Sequence, residues 1–338
     1  MMGVLSEKME SKGIKIVITG GSGFIGTCVV DYCIQNGYPF VNLDIKRPNK
    51  KEHEPFWQEV DIRDRDAFEK ALSSSRPTHI LHLAAQTGMD IPNLEVLSAN
   101  TTGVKYLIEI GRHLAGLRRI VFISSLLVCK NGYIPQNDID YCPPNFYGES
   151  KMIGEIAVRE AENLPYTWTI VRPTSVWGPW FEHSYKTFFK TIDRGLYFHS
   201  GHADIVKPLC YVGNAVYMMF KIMFDSEGRA NGQTFYLADY PTYHVREWAD
   251  TIHRELKKSE SIRTIPLSAL KLAAFIGDAL KLCGWQNFPL TSFRLKNMGT
   301  GGIYPVKKTR DLVGPLPYSL QDGVHATVNW MRLSGELK

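Results

Sequence analysis

Long uncharged apolar runs, closely spaced cysteine pairs and blocks of basic residues are all missing from this 338-residue sequence. The six cysteines show no Cys-x-x-Cys spacing, so we interpret them as reduced thiols, and we predict no metal site. The formal charge of +5 comes from dispersed Lys and Arg residues, a distribution that does not indicate nucleic-acid binding. The remaining pattern is that of a globular chain whose 44% hydrophobic residues can bury a large core.

Membrane-spanning and leader signals are also missing. The most apolar segment, residues 267–285, contains Lys271, Asp278 and Lys281, which leave too short an uncharged run to cross a bilayer. We interpret it as a buried or interfacial helix, with a helix on a membrane surface as the alternative. Residues 1–13 are polar and predict a flexible tail rather than a signal peptide. We therefore expect a soluble, cytoplasmic protein without integral membrane association.

A glycine-rich segment gives the first positive signal. The apolar run 14–19 breaks into Gly20, Gly23 and Gly26, a spacing typical of a buried strand that turns into a helix. Phosphate can approach the backbone there and bind the free amide groups of the helix. Asp44 ends the next apolar run, 18 residues beyond Gly26, where a carboxylate accepts hydrogen bonds from an adenosine ribose and repels a 2′-phosphate. The pattern predicts a dinucleotide site that prefers NAD over NADP, although Lys46 and Arg47 could counteract that preference.

Three polar residues form a candidate catalytic group. Tyr147 and Lys151 are four residues apart at a helix start and therefore project from one face. Bringing a phenol pKa from about 10 to about 7 requires on the order of 4 kcal/mol, which a lysine charge about 4 Å away can supply. An oxidised nicotinamide would add a second positive charge. Ser125, at the tip of a strand, can donate a hydrogen bond to the same substrate oxygen.

Strand-like and helix-like patterns alternate five times up to Ser125, which predicts an α/β fold with a Rossmann-type, doubly wound parallel sheet. We expect the cofactor-binding domain to span residues 14–174, with a possible return of the chain at about 205–240. A smaller, mixed substrate lobe is expected over residues 175–338. The aromatic segment 177–185 could stack a nucleobase, line an apolar pocket or simply form core.

Six ordered motifs resemble the extended short-chain dehydrogenase/reductase family, in particular its NAD-dependent sugar-nucleotide epimerase/dehydratase branch. They are Thr19-Gly-Gly-Ser-Gly-Phe-Ile-Gly26, Asp61-Ile62, His82-Leu-Ala-Ala85, Ser124-Ser125, Tyr147-x-x-x-Lys151 and Arg172-Pro173. The resemblance implies that Ser125, Tyr147 and Lys151 are catalytic. It also implies NAD-binding roles for Gly20, Gly23, Phe24, Ile25, Gly26, Asp44, Asp61, Ile62, Leu83, Ala84, Ala85, Asn100, Tyr147, Lys151 and Pro173.

Departures from the family pattern narrow the reaction. Leu126 and Leu127 stand where hexose dehydratases carry an Asp-Glu pair, and leucine cannot transfer protons. Ser175 replaces the Asn of uridine-diphosphate sugar epimerases, and Lys207 replaces a phosphate-binding Arg. We expect an epimerase that acts on a nucleotide-diphosphate sugar through a 4-keto intermediate, binds substrate with Ser175, Trp177 and Lys207, and forms a homodimer. The alternative is an NAD(P)-dependent dehydrogenase or reductase similar to the 3β-hydroxysteroid dehydrogenases or flavonoid reductases.

Overall fold

The computed structural model describes residues 13–88, 91–133, 135–181, 184–201, 205–282, 292, 301–302 and 304–337. The interpretations of residues 1–12 and Cys283 lie outside this part of the chain.

A seven-stranded parallel sheet forms the centre of the molecule, with strand order β10-β6-β5-β4-β1-β2-β3. The strands of all sheets are β1 Ile16–Thr19, β2 Phe40–Asp44, β3 Trp57–Glu59, β4 His79–His82, β5 Arg119–Ile123, β6 Thr167–Pro173, β7 Ser175–Trp177, β8 His199–Ser200, β9 Leu209–Tyr211, β10 Gln233–Leu237 and β11 Thr264–Ile265. The helices are α1 Phe24–Asn36, α2 Arg65–Ser75, α3 Ser98–Gly111, α4 Phe146–Glu160, α5 Ser184–Asp193, α6 Val212–Met223, α7 Val245–Glu255, α8 Leu267–Leu282, α9 Lys307–Val313 and α10 Leu320–Leu333.

The sheet is covered on both faces, which explains why its strands are apolar without interruption. In β1, Ile16 and Ile18 belong to one core cluster, and Val17 belongs to the cluster on the opposite face. Because the order of the strands reverses beside β1, the carboxyl ends of β1 and β4 frame a crevice. The α/β, doubly wound architecture expected from the sequence is confirmed.

The later part of the chain adds smaller elements beyond β6. Strands β7 and β9 form one parallel pair, and β8 and β11 form another. Strand β10 instead returns to the edge of the main sheet beside β6. A domain boundary at residue 174 stays a prediction.

Some element boundaries differ from those expected. Strand β3 ends at Glu59, so Asp61 lies beyond it in a turn where Arg63 binds its carboxylate. Helix α3 begins at Ser98 rather than near Asn93, because residues 95–97 form a 3-10 turn. Strand β5 ends at Ile123, since the Ser125 hydroxyl accepts a hydrogen bond from the Leu127 amide and starts a tight turn.

A buried ion pair fixes helix α4 against the sheet. The Arg172 guanidinium on β6 donates to both carboxylate oxygens of Glu155, at 2.8 and 2.6 Å. The Ser124 hydroxyl, at the end of β5, donates to the same carboxylate at 2.5 Å, and the Tyr141 hydroxyl donates at 2.9 Å. Glu155 and Arg172 are 3% and 0% exposed, so neither charge can be satisfied by bulk water. The helix that carries Tyr147 is thereby tied to two strand ends.

We expect Arg172→Met to lower the free energy of unfolding by about 3–5 kcal/mol, because it removes the bidentate partner of the buried Glu155 carboxylate and leaves it only the longer contact with the Arg159 guanidinium, at 3.4 Å. The double variant Glu155→Gln/Arg172→Met should lose less than the sum of the single changes. Urea denaturation of the four proteins measures this coupling.

The exposed pair Lys307–Asp311, whose side chains are 80% and 53% exposed, provides the matched control. Asp311→Asn should change stability by less than about 1 kcal/mol. Additive losses at Glu155 and Arg172 would contradict the role given to their ion pair.

Candidate active site

The glycine loop between β1 and α1 is shaped by side chains of the neighbouring strand β2. The Gly21 amide donates to Asn42 Oδ1 at 2.9 Å, and the Ser22 amide donates to Asp44 Oδ2 at the same distance. Gly20 has a φ of +79°, and a Cβ there would lie 2.5 Å from the Ala84 amide nitrogen, so this turn requires glycine. The loop is therefore held in a fixed shape by protein groups.

The same loop leaves room for an anionic group. Gly23 precedes α1 without a side-chain cap, so the first amide groups of the helix have no intrahelical acceptor. A Cβ on Gly23 would meet only the Gly20 carbonyl oxygen, at 3.5 Å, so the backbone is accessible. A cavity of about 660 Å³ opens over it and reaches Asp44. These features fit the diphosphate and the adenosine ribose of NAD.

The structure brings most of the predicted cofactor residues to this cavity, which we call the cofactor cavity. Its walls include Gly20, Gly23, Phe24, Ile25, Gly26, Asp44, Asp61, Ile62, Leu83, Ala84, Ala85, Tyr147, Lys151 and Pro173. The Arg47 guanidinium stacks over the Trp57 ring, 5.7 Å from its centroid, whereas Lys46 lines the cavity. Of the two basic residues that could counteract the preference for NAD over NADP, only Lys46 therefore remains in a position to bind a 2′-phosphate.

Ser125 and Tyr147 both line the cofactor cavity, and their side chains are hydrogen-bonded to each other. Asn145 caps α4 by accepting a hydrogen bond from the Gly148 amide at 2.9 Å, which places Tyr147 in the first turn. Burial raises the pKa of Tyr147 above its ordinary value, while a hydrogen bond with the Ser125 hydroxyl acts in the opposite direction. The protein's own residues thus favour the protonated phenol, and its use as a base depends on additional positive charge from the cofactor.

Lys151 lies one turn further along α4. Its Nζ donates to the carbonyl oxygen of Ile123, at the end of β5, at 2.9 Å. Burial lowers the pKa of Lys151 to about 8, and the negative charge of Glu155 acts in the opposite direction. The Glu155 carboxylate therefore helps to keep this buried lysine charged near neutral pH.

A second cavity, of about 320 Å³, adjoins the first, and we call it the distal cavity. Leu126, Asn131, Ser175 and Tyr185 line both cavities. Lys207 lines the distal cavity, where burial lowers the pKa of its ammonium group. Within the part of the chain that the structure describes, no carboxylate forms an ion pair with Lys207. The distal cavity therefore offers a partly desolvated cation to a ligand.

Two of the predicted site residues, Trp177 and Asn100, line neither cavity, and their ligand contacts stay predictions. Trp177 is fully buried, its indole N–H donates to the Tyr243 hydroxyl at 2.6 Å, and its ring packs against Trp248. Asn100 is 1% exposed and lies behind the cofactor cavity, where it accepts a hydrogen bond from the Gln86 amide. Both positions follow from packing between elements that are distant in sequence.

The model of the NAD dependent epimerase/dehydratase family matches residues 16–238, about two thirds of the chain. The chain belongs to this family. The resemblance inferred from the motifs is confirmed, and NAD is the family's cofactor.

Full-length relatives of this family member differ in their substrates. The chain is 25% identical over 325 residues to an N-acetyl-α-D-glucosaminyl-diphospho-ditrans,octacis-undecaprenol 4-epimerase from Escherichia coli O157:H7, covering 93% of this chain and 94% of the relative. It is 24% identical over 352 residues to a decarboxylating sterol-4-α-carboxylate 3-dehydrogenase from Saccharomyces cerevisiae, covering 95% and 99%.

A solved structure shows the same fold as this family member. UDP-glucose 4-epimerase from Thermus thermophilus, in complex with NAD, matches with a TM-score of 0.68 and 20% identity over 94% of this chain and 99% of that one.

Several residues of the site are not predicted by the sequence. Asn42 lies in the middle of an apolar strand and was not singled out from the sequence. A side-chain amide inside such a strand needs hydrogen-bond partners, and this need was the signal that could have identified Asn42. Asn131 lies in the long loop before α4, whose length indicates a functional role without identifying a residue. Tyr185 belongs to the aromatic segment 177–185, in which the sequence does not separate the cavity wall from the core.

Metal and membrane-spanning features are not found in the described residues of this family member. No group of three or more His, Cys, Asp or Glu side chains among them is arranged to hold a metal ion. The imidazole of His199 forms a hydrogen bond with the Asp250 carboxylate, at 3.0 Å. None of the helices traced in those ranges has the length and apolar character needed to cross a membrane.

We expect Asn42→Ala to weaken NAD binding about tenfold, because it leaves the Gly21 amide and the Ser22 hydroxyl without their partner and loosens the loop. Titration calorimetry measures the dissociation constant. Asn36→Ala is the matched control, since Asn36 is exposed on α1 and donates only to the Tyr32 carbonyl oxygen one turn earlier. An unchanged constant for Asn42→Ala would show that the loop keeps its shape without this amide.

Proposed function

We propose that this family member is an NAD-dependent 4-epimerase of a sugar joined to a diphosphate, with a nucleotide diphosphate sugar as the leading substrate class. The observation that carries the proposal is the junction of the two cavities. Ser125 and Tyr147 line the cofactor cavity, and Leu126, the residue after Ser125, lines both this cavity and the distal cavity, which contains Lys207. A sugar placed at this junction would have its hydroxyl at the catalytic residues and its diphosphate toward the lysine.

The catalytic residues have separate tasks in this reaction. Bound NAD supplies the hydride acceptor and, in the return step, the hydride donor. Ser125 donates a hydrogen bond to the sugar's C4 oxygen, and Tyr147 removes the proton from that hydroxyl as the C4–H bond breaks. The same phenol returns the proton when hydride adds to the opposite face of the 4-keto sugar. Lys151 contributes positive charge beside the cofactor and lowers the cost of the phenolate.

Two leucines next to these residues support epimerisation over elimination. Leu126 and Leu127 follow Ser125 in a tight turn, and both line the cofactor cavity. Neither side chain can remove a proton from C5 or protonate a leaving hydroxyl at C6. Their apolar surface excludes water from the keto intermediate.

Lys207 supports recognition of the diphosphate. A partly buried ammonium is costly when the described residues offer it no carboxylate partner, and a phosphate oxygen would offset that cost with a charge-assisted hydrogen bond. Ser175 lies beside it, and its hydroxyl is hydrogen-bonded to that of Tyr185. This pair offers a polar contact to the sugar between the catalytic residues and the diphosphate.

A polyprenol in place of the nucleoside is a second candidate for the other end of the diphosphate. The similarity to the undecaprenol-linked sugar epimerase extends over nearly the full length of both chains. The distal cavity also has apolar walls, which include Phe188, Val245 and Trp248. These side chains suit either a nucleobase or an isoprenoid.

The test of the proposal is whether cofactor is consumed. Freshly purified protein should release NAD on denaturation, and it should convert a sugar diphosphate to its epimer without net formation of NADH. Uridine, guanosine, thymidine and polyprenyl diphosphate sugars are compared by product analysis, while absorbance follows NADH. Tyr147→Phe should retain NAD and keep less than a tenth of the activity, which corresponds to an activation barrier raised by more than about 1.4 kcal/mol.

Two outcomes would contradict this assignment. NADH that accumulates in proportion to product, with no cofactor retained on purification, would favour the dehydrogenase alternative that the sterol dehydrogenase relative represents. Tyr147→Phe with near-normal turnover would remove Tyr147 from the proton transfer.

We expect Lys207→Met to raise KM for the sugar diphosphate about tenfold to a hundredfold, since a charge-assisted hydrogen bond contributes about 1.5–3 kcal/mol. Lys207→Arg should recover much of this loss, and NAD affinity should not change. Steady-state kinetics with the sugar diphosphate that the protein converts measures KM for this substrate and for NAD. Lys221→Met, on the exposed side of α6, is the control. Equal KM values for Lys207→Met and the parent would place the diphosphate elsewhere.

A further inference from the structure

Helix α8 presents its bulkiest apolar residues away from the protein. Leu270 and Ala274 are 3% and 0% exposed and pack inward. Leu272, Phe275 and Ile276, on the opposite side, are 63%, 70% and 48% exposed. These three residues, together with Ala279, recur at the spacing of one helix face. We call this set the outer face of α8.

The outer face is comparable in area to the largest apolar patch of an ordinary monomeric protein and is small for a protein interface. With Leu267, which is 43% exposed, its side chains present apolar area on the order of 400 Å². A stable dimer buries roughly 800 Å² on each partner. A single helix lying in the headgroup region of a bilayer needs only such a strip.

Charge around the helix complements an anionic surface. The segment 257–282 contains five basic and two acidic residues. Lys271, on the border of the outer face, is exposed, as are Lys257 and Arg263 before the helix. Asp278, seven residues after Lys271 and therefore on the same side of α8, accepts a hydrogen bond from the Ser292 amide through its carboxylate. The segment that carries the outer face therefore has an excess of positive charge.

The start of α8 contacts a segment that lies next to the distal cavity. Gly201, at the end of β8, lies against Leu267 at the start of the helix, and a Cβ on Gly201 would be 3.4 Å from the Leu267 Cβ. The Gly201 carbonyl oxygen accepts a hydrogen bond from Arg246, whose neighbour Val245 lines the distal cavity. The outer face is thus on the element that adjoins the wall of this cavity.

We propose that α8 is a membrane-docking helix, which binds the protein to the surface of an anionic phospholipid bilayer through its outer face. Leu272, Phe275 and Ile276 insert between the headgroups, and Lys271 contacts the lipid phosphates. The helix lies on the bilayer and does not cross it. The contact goes beyond the proposed reaction and needs neither substrate nor turnover.

The test is co-sedimentation of the full chain with vesicles of phosphatidylcholine alone or mixed with phosphatidylglycerol. We expect the protein to sediment with the anionic vesicles and to dissociate as salt is raised. The triple variant Leu272→Ser/Phe275→Ser/Ile276→Ser should lower the partition coefficient at least tenfold, and Lys271→Glu should lower it about fivefold. Leu333→Ser is the matched control, because Leu333 is 90% exposed but lies on α10. It should bind like the parent.

Circular dichroism and NAD affinity, both expected to be unchanged, show that the triple variant is folded. Tyr147→Phe should bind vesicles normally, so that failure of the catalytic proposal and failure of membrane docking are distinguished. Parent protein that stays in the supernatant with both kinds of vesicle would overturn the inference, as would a triple variant that sediments equally well. A parent dimer that the triple change converts to monomer would also overturn it, because the outer face would then be a contact between two copies.

Discussion

The Glu155 carboxylate is the group on which the geometry of the candidate site most depends. It lies in the middle of α4, with Lys151 one turn before it and Tyr147 two turns before it. Arg172 on β6 and Ser124 at the end of β5 both bind it, so one buried anion fixes the helix against two strand ends. Because Ser125 follows Ser124 directly, the same contact sets the position of the hydroxyl that meets Tyr147. The carboxylate also raises the pKa of Lys151 against the effect of burial.

Burial acts in opposite directions on the phenol and the amines of the site. It raises the pKa of Tyr147 and lowers those of Lys151 and Lys207, since each group loses water around its charged form. At each of these three residues, burial therefore disfavours the charged form of the side chain. A cationic nicotinamide near the phenol and a diphosphate near Lys207 would each supply the missing opposite charge, which links ligand binding to the protonation states that the proposed chemistry needs.

The two cavities and α8 give the molecule three adjoining regions with different chemistry. The cofactor cavity is built by the glycine loop and the carboxyl ends of the strands, where a doubly wound sheet places its ligands. The distal cavity combines the partly buried Lys207 with aromatic walls. Beyond it, the outer face of α8 turns leucine, phenylalanine and isoleucine toward the solvent.

The sequence by itself determined the sheet, the cofactor crevice and the candidate catalytic group, because these depend on local spacing. Glycines at a strand-to-helix turn, Asp44 at a strand end, and Tyr147 four residues before Lys151 each define geometry within a few residues. Tertiary structure decided what depends on contacts between distant segments. It buried Trp177 in the core, moved Asn100 behind the cavity wall and joined Glu155 to Arg172. It also selected which side of α8 packs inward, where Leu270 and Ala274 are buried.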